Sequence, residues 1–179
     1  MGKRSEFERV ERDFYPTPLA AVLPLLPHLP EAVRFAEPCA GDGRLIHILE
    51  EETDAICMWA SDIEPQSKGI LQDDFRDVGY EELFESSCVI TNPPWDRKIL
   101  HPFIEHFVFN EKMTTWLLFD SDWMHTKQSA PYMKHCSDII SIGRVKWIEG
   151  STGVGKDNCC WYKFVSEPVL ETKFHGRTE

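Results

Sequence analysis

A chain of 179 residues, 42% of them apolar, is sized for one domain with its own core. It has no apolar run of about 18 residues, and its charged start, Met1 to Asp13, lacks an apolar signal core. No membrane span or secretory leader is expected, and the expected location is cytoplasmic. The net charge of −11 argues against a non-specific nucleic-acid binder. It is unevenly placed: residues 1–91 hold 8 Lys and Arg against 19 Asp and Glu, and residues 92–179 hold 11 of each. A polyanion would have to approach the second half. The six cysteines form no C-x-x-C pair and read as reduced core thiols, so neither a disulfide framework nor a zinc site is expected.

Asp13-Phe14-Tyr15-Pro16-Thr17-Pro18 is extended by its prolines, and Thr17 can cap a helix that has Pro18 at its first position. That helix is expected over 18–28, interrupted by Pro24 and Pro27. Val33 to Ala36 reads as a strand, the residues after Gly43 as a helix, and Ala55 to Ala60 as a strand ending at Asp62. Gly69 to Gln72 suggests a short strand, Tyr80 to Phe84 a brief helix and Cys88 to Thr91 a buried strand. Ile99, Phe103, Ile104, Phe107 and Val108 recur at helical spacing and predict an amphipathic helix over 98–111. Thr114 to Phe119 is a strand and Trp123 to His135 is expected to be helical. Ile139 to Ile148 and Cys160 to Val165 are strands around the connection Glu149 to Asn158, which predicts an antiparallel hairpin. Alternating strands and helices predict a doubly wound α/β sheet, mostly parallel, with an antiparallel C-terminal hairpin strand at one edge. Ligands of such sheets bind outside the carboxyl ends of the strands.

Two of those ends carry chemistry. Glu37-Pro38-Cys39-Ala40-Gly41-Asp42-Gly43 follows the first strand, with two glycines that allow a sharp turn and close ligand approach. The carboxylates of Glu37 and Asp42 would repel a pyrophosphate and suit a ligand with a cationic end. S-adenosylmethionine (SAM) is one, with an ammonium, a sulfonium and no phosphate. Asp62 is placed to accept ribose hydroxyls, with Ile63 beside it, and Asp74-Phe75 to meet an adenine ring. The fourth strand ends in Asn92-Pro93-Pro94-Trp95. There an amide oxygen and a proline-stiffened carbonyl can accept both N–H bonds of a planar amine, turning its lone pair out of the ring plane, while an aromatic covers the ring.

In this order the motifs resemble the SAM-dependent amino-methyltransferases, above all the adenine-N6 DNA methyltransferases with an N-P-P-[YFW] motif. The resemblance covers roughly residues 13–96, with Tyr15-Pro16-Thr17-Pro18 like the family's N-terminal cofactor segment and the gamma-type motif order. It implies a Rossmann-like class I methyltransferase domain over 13–166, between a flexible N-terminus over 1–12 and a C-terminal tail over 167–179. It also implies a SAM site built from Tyr15, Pro16, Thr17, Glu37, Pro38, Cys39, Ala40, Gly41, Asp42, Gly43, Asp62, Ile63, Asp74, Phe75 and Asn92. Asn92, Pro93, Pro94 and Trp95 would carry catalysis, with Trp95 also stacking on the target base. The implied partner is a nucleic acid, DNA ahead of RNA.

About 80 residues follow Trp95, too few to finish the sheet and add the separate recognition region usual among family members that read duplex sequence. Low specificity, a separate specificity partner, or a phage or mobile-element origin would account for that. RNA adenine, a protein glutamine amide and a non-catalytic SAM-binding module are the alternatives. Gly150-Ser151-Thr152-Gly153-Val154-Gly155-Lys156 begins like a P-loop but meets Asp157 where Ser or Thr would hold magnesium, and precedes a strand. It reads as a hairpin loop on the ligand side, with Lys156 near a substrate phosphate. The histidines lack ligand spacing, and no metal site is expected.

Overall fold

The computed structural model describes residues 14–148 and 155–177. Eight strands form one sheet: β1 (Arg34–Glu37), β2 (Ile56–Asp62), β3 (Leu71–Gln72), β4 (Cys88–Thr91), β5 (Thr114–Asp120), β6 (Cys136–Arg144), β7 (Asn158–Phe164) and β8 (Lys173–His175). Their spatial order is β3-β2-β1-β4-β5-β7-β6-β8. The β1–β2, β2–β3, β1–β4 and β4–β5 pairs are parallel, and β7 runs antiparallel to β5 and β6. The order reverses between β1 and β4, so the strand ends bearing Glu37 and Asn92 flank the crevice at the switch point.

Apolar layers cover both faces. One holds α1 (Leu19–Val22) and α2 (Arg44–Glu52) against Phe35, Ile90, Trp116 and Trp161. The other holds α3 (Tyr80–Leu83), α4 (Arg97–Ile104) and Trp123 against Val89, Phe119 and Tyr162. α5 is Ala130–Met133. All four residues of β4 are buried, as expected for a central parallel strand covered on both sides.

Several elements depart from the sequence expectation. The antiparallel strand β7 lies inside the sheet, between β5 and β6, where it inserts Trp161 and Tyr162 into both layers. The helix over 98–111 is α-helical only to Ile104 and continues as a π-helix over Glu105–Asn110. Pro102 inside α4 has no N–H for the helical ladder, and Glu105 N–H is shared between the His101 and Pro102 carbonyls at the point where the helix passes from α to π. Residues 123–135 are not one helix. Thr126 is extended, at φ −89° and ψ 152°, and separates a 3-10 turn over Ser121–His125 from another over Lys127–Ser129. The Thr126 hydroxyl donates to the Trp123 carbonyl, a local bond that competes with helix. Within the expected tail, β8 pairs with β6 in parallel, and His175 Nε2 lies 2.9 Å from Asp138 Oδ1.

Candidate functional site

The glycine loop is stitched to the end of β2. Ala40 N–H donates to the Ser61 carbonyl at 2.9 Å, and Gln66 N–H to the Gly41 carbonyl at 2.8 Å. Asp62 accepts Gly41 N–H at Oδ2 and Glu64 N–H at Oδ1, both at 2.8 Å. Gly41 and Gly43 sit at φ +54° and +82°, the left-handed region that glycine enters without strain. Gly43 is the residue before α2, so the chain turns from loop to helix in one step.

Phe14 closes over this loop: a Cβ on Gly41 would lie 2.7 Å from its ring. The segment continues through Tyr15 and Thr17 to Asn92, whose Nδ2 donates to the Tyr15 carbonyl at 3.4 Å and to Thr17 Oγ1 at 3.2 Å. The N-terminal strap thus joins the loops after β1 and β4.

Together these segments enclose a cavity of about 320 Å3. Tyr15, Pro16, Thr17, Glu37, Pro38, Cys39, Ala40, Gly41, Asp42, Asp62, Ile63, Asp74, Phe75 and Asn92 line it, as does Pro94. Gly43 shapes the turn outside the lining, and Pro93, which is buried, is not among the lining residues. Trp95 also stands outside, its indole N–H donating to Asn92 Oδ1 and to the Leu118 carbonyl, each at 3.2 Å. Lys156 is exposed, next to Gly155, whose N–H donates to the Val145 carbonyl at 2.7 Å. The rest of that hairpin loop, Glu149 to Val154, lies outside the described residues. Phe14, Leu45, Glu64, Gln66, Arg76 and Ile99 line the cavity without having been singled out. Phe14, Leu45, Glu64 and Arg76 each fall within two positions of a motif residue, the one local signal that pointed to them.

The electrostatics are acidic and asymmetric. Glu37 is 2% exposed, and its Oε2 has no hydrogen-bond partner among the described residues. Burial, with the Asp62 and Asp42 charges adding to it, pushes its carboxyl well above the ordinary range. Burial likewise raises the Cys39 thiol, so Cys39 presents a neutral wall. Asp74 is engaged by Arg76: Oδ2 accepts from Nη1 at 2.8 Å and Oδ1 from the Arg76 backbone at 3.0 Å. The Arg76 guanidinium stands 5.0 Å over the Phe75 ring. Phe75 also packs on Phe103, at 4.9 Å between the centroids of tilted rings.

No protein-family profile matches the chain, and no curated protein matches its sequence. Solved structures do match. A Pyrococcus horikoshii protein described as an RNA methyltransferase aligns at TM-score 0.58 and 13% identity, over 89% of this chain and 90% of its own. A dimethyladenosine transferase from Plasmodium falciparum aligns at 0.54 and 12%, over 85% of this chain and 62% of its own. The type IIL restriction-modification enzyme MmeI, solved with DNA, aligns at 0.52 and 10%, over 83% of this chain and 33% of its own. The chain therefore spans less than two thirds of the latter two. At these identities the likeness is one of fold: the Rossmann-like sheet of the methyltransferases. The donor set of the cavity fits SAM, because the buried Glu37 Oε2 suits an ammonium and, among the described residues, no basic cradle for a phosphate is built around the glycines.

Proposed function

We propose that this protein is a SAM-dependent methyltransferase acting on an exocyclic amino nitrogen, with adenine N6 in DNA as the target. One observation carries the reading: Asn92, at the end of β4, lines the same cavity as Glu37, Gly41 and Asp62. An amide able to accept from an amine thus faces the place where a cationic, ribose-bearing ligand fits.

When bound, the cofactor supplies an electrophilic methyl group on a sulfonium. The protein's residues do the rest by binding and positioning. Glu37 accepts from the ammonium, which relieves its buried, unpartnered state. Asp62 keeps a second lone pair on each oxygen for the ribose hydroxyls. Asp74 and Phe75 border the adenine end, with Arg76 holding the Asp74 carboxylate in place. Asn92 Oδ1 and the Pro93 carbonyl accept the N–H bonds of the target amine, so its lone pair leaves the ring plane. The apolar wall of Phe14, Cys39 and Ile99 limits water around the reacting groups. No strong base is required, since the proton can leave after methyl transfer.

RNA adenine is the second reading, favoured because two of the matched structures are described as an RNA methyltransferase and a dimethyladenosine transferase. The test uses methyl-labelled SAM with duplex DNA, single-stranded DNA, RNA and protein as separate acceptors. Label recovered as N6-methyladenine, and lost in Asn92→Ala, is the expected result. Label in protein alone would replace the nucleic-acid reading, and SAM binding with no transfer to any acceptor would leave a binding module.

A further inference from the structure

Every polar atom of the Asn92 amide has a partner. Nδ2 donates its two hydrogens to Thr17 Oγ1 at 3.2 Å and the Tyr15 carbonyl at 3.4 Å, and Oδ1 accepts Trp95 Nε1–H at 3.2 Å. These partners admit one amide orientation. A carbonyl can only accept and an indole N–H can only donate. Turned by half a rotation, the amide would set oxygen against the Tyr15 carbonyl and nitrogen against the indole N–H. Trp95 is itself held, because its N–H also meets the Leu118 carbonyl at 3.2 Å and its ring stands edge-on to Trp147 at 5.7 Å. Thr17 is 5% exposed, so little water competes for its hydroxyl.

We propose that Thr17 and Trp95 are positioning residues, which clamp the Asn92 amide so that the free lone pair of Oδ1 is presented to the target amine. The proposal rests on the methyltransferase reading above and deepens it. It assigns Trp95 a task beyond stacking: the indole N–H, absent from Phe and placed differently from a Tyr hydroxyl, fixes and polarises the amide oxygen. It assigns Thr17 a task beyond lining the cofactor cavity. The strap that lines the cavity thus also sets the amide.

The experiment pairs kinetics with a measurement that needs no activity. Thr17→Val keeps the shape and removes the hydroxyl. It should lower kcat about tenfold, the scale of one hydrogen bond, and leave KM for SAM within about twofold. Thr17→Ser should restore kcat. Trp95→Phe, which keeps an aromatic face, should also lose about tenfold in kcat. In proton–nitrogen NMR spectra of the full chain, the indole N–H resonance missing in Trp95→Phe identifies Trp95. That resonance should move in Asn92→Ala and in Thr17→Val. Full kcat in Thr17→Val or Trp95→Phe, or an indole resonance unmoved by Asn92→Ala, overturns the clamp. If the wild type methylates nothing while the resonance moves as stated, the clamp stands as geometry and the activity reading is what fails.

Discussion

Asp62 Oδ2 accepts the backbone N–H of Gly41 at 2.8 Å, across 21 positions of sequence. The acid at the end of β2 is therefore the clasp of the glycine loop as well as a wall of the cavity. Loop shape and ligand recognition are tied to one carboxylate.

Asp62→Asn should separate from the wild type in both respects. An amide can accept from Gly41 N–H or from Glu64 N–H, never from both, since its nitrogen is a donor. We expect a stability loss of about 1–3 kcal/mol and a SAM affinity lower by about 10- to 100-fold. Urea denaturation and titration calorimetry measure the two, and unchanged affinity would remove Asp62 from the binding role.

Glu37 gives a pH signature. Its folded-state pKa is raised well above the ordinary 4.5, burial first and the Asp62 and Asp42 charges next. The folded protein therefore holds this proton more tightly than the unfolded chain. Its contribution to stability is fully present below the ordinary carboxylate range and declines as pH rises from there through the folded-state value. Glu37→Gln should flatten that decline, with a Tm near neutral pH equal to or above the wild type. Its SAM affinity should fall at least about tenfold for want of a counter-charge to the ammonium. Melting curves between pH 5 and 8, with and without SAM, test both parts.

Gly41→Ala places a Cβ 2.7 Å from the Phe14 ring at a backbone φ of +54°. The left-handed conformation alone costs about 1–2 kcal/mol for alanine. The ring contact adds to this and should displace the strap. In the double variant Phe14→Ala/Gly41→Ala the steric part should vanish and the conformational part persist. A double-mutant cycle by chemical denaturation resolves them. Additive losses would show that Phe14 does not press on the loop.

Trp161 donates from Nε1 to the Ala21 carbonyl at 2.8 Å and is fully buried. The bond pins α1, from which the strap hangs, to β7 in the middle of the sheet. Trp161→Phe withdraws the donor and leaves a void, which together should cost about 3 kcal/mol in urea denaturation. SAM affinity should fall too, although Trp161 lies outside the cavity lining; an unchanged affinity would mean the strap does not depend on α1.

How much of this was legible beforehand follows from the range of each interaction. The loop Glu37 to Gly43, the acid at Asp62 and the Asn92-Pro93-Pro94-Trp95 turn were readable because turn chemistry and strand ends are written in adjacent residues. The core strands were readable because their apolar runs repeat at the periods of the backbone. Pro102 stood in plain view inside the predicted helix, yet the π-turn after it also required the packing of Phe107 and Val108 in the core. The extended break at Thr126 came from its hydroxyl bond to the Trp123 carbonyl, which helical periodicity does not register.

The order of chemical parts along the chain, and with it the expectation of a cationic cofactor and an amine acceptor, was determined by sequence alone. Their convergence was decided by tertiary structure. The Asn92 amide meets Tyr15 across 77 positions, and Trp161 meets Ala21 across 140. The strand Lys173–His175 found its place only because β6 offered an unpaired edge. Local patterns encode which groups a chain carries at its strand ends. Which groups share a hydrogen bond depends on closing long loops and burying both faces of one sheet, a balance struck over the whole chain at once.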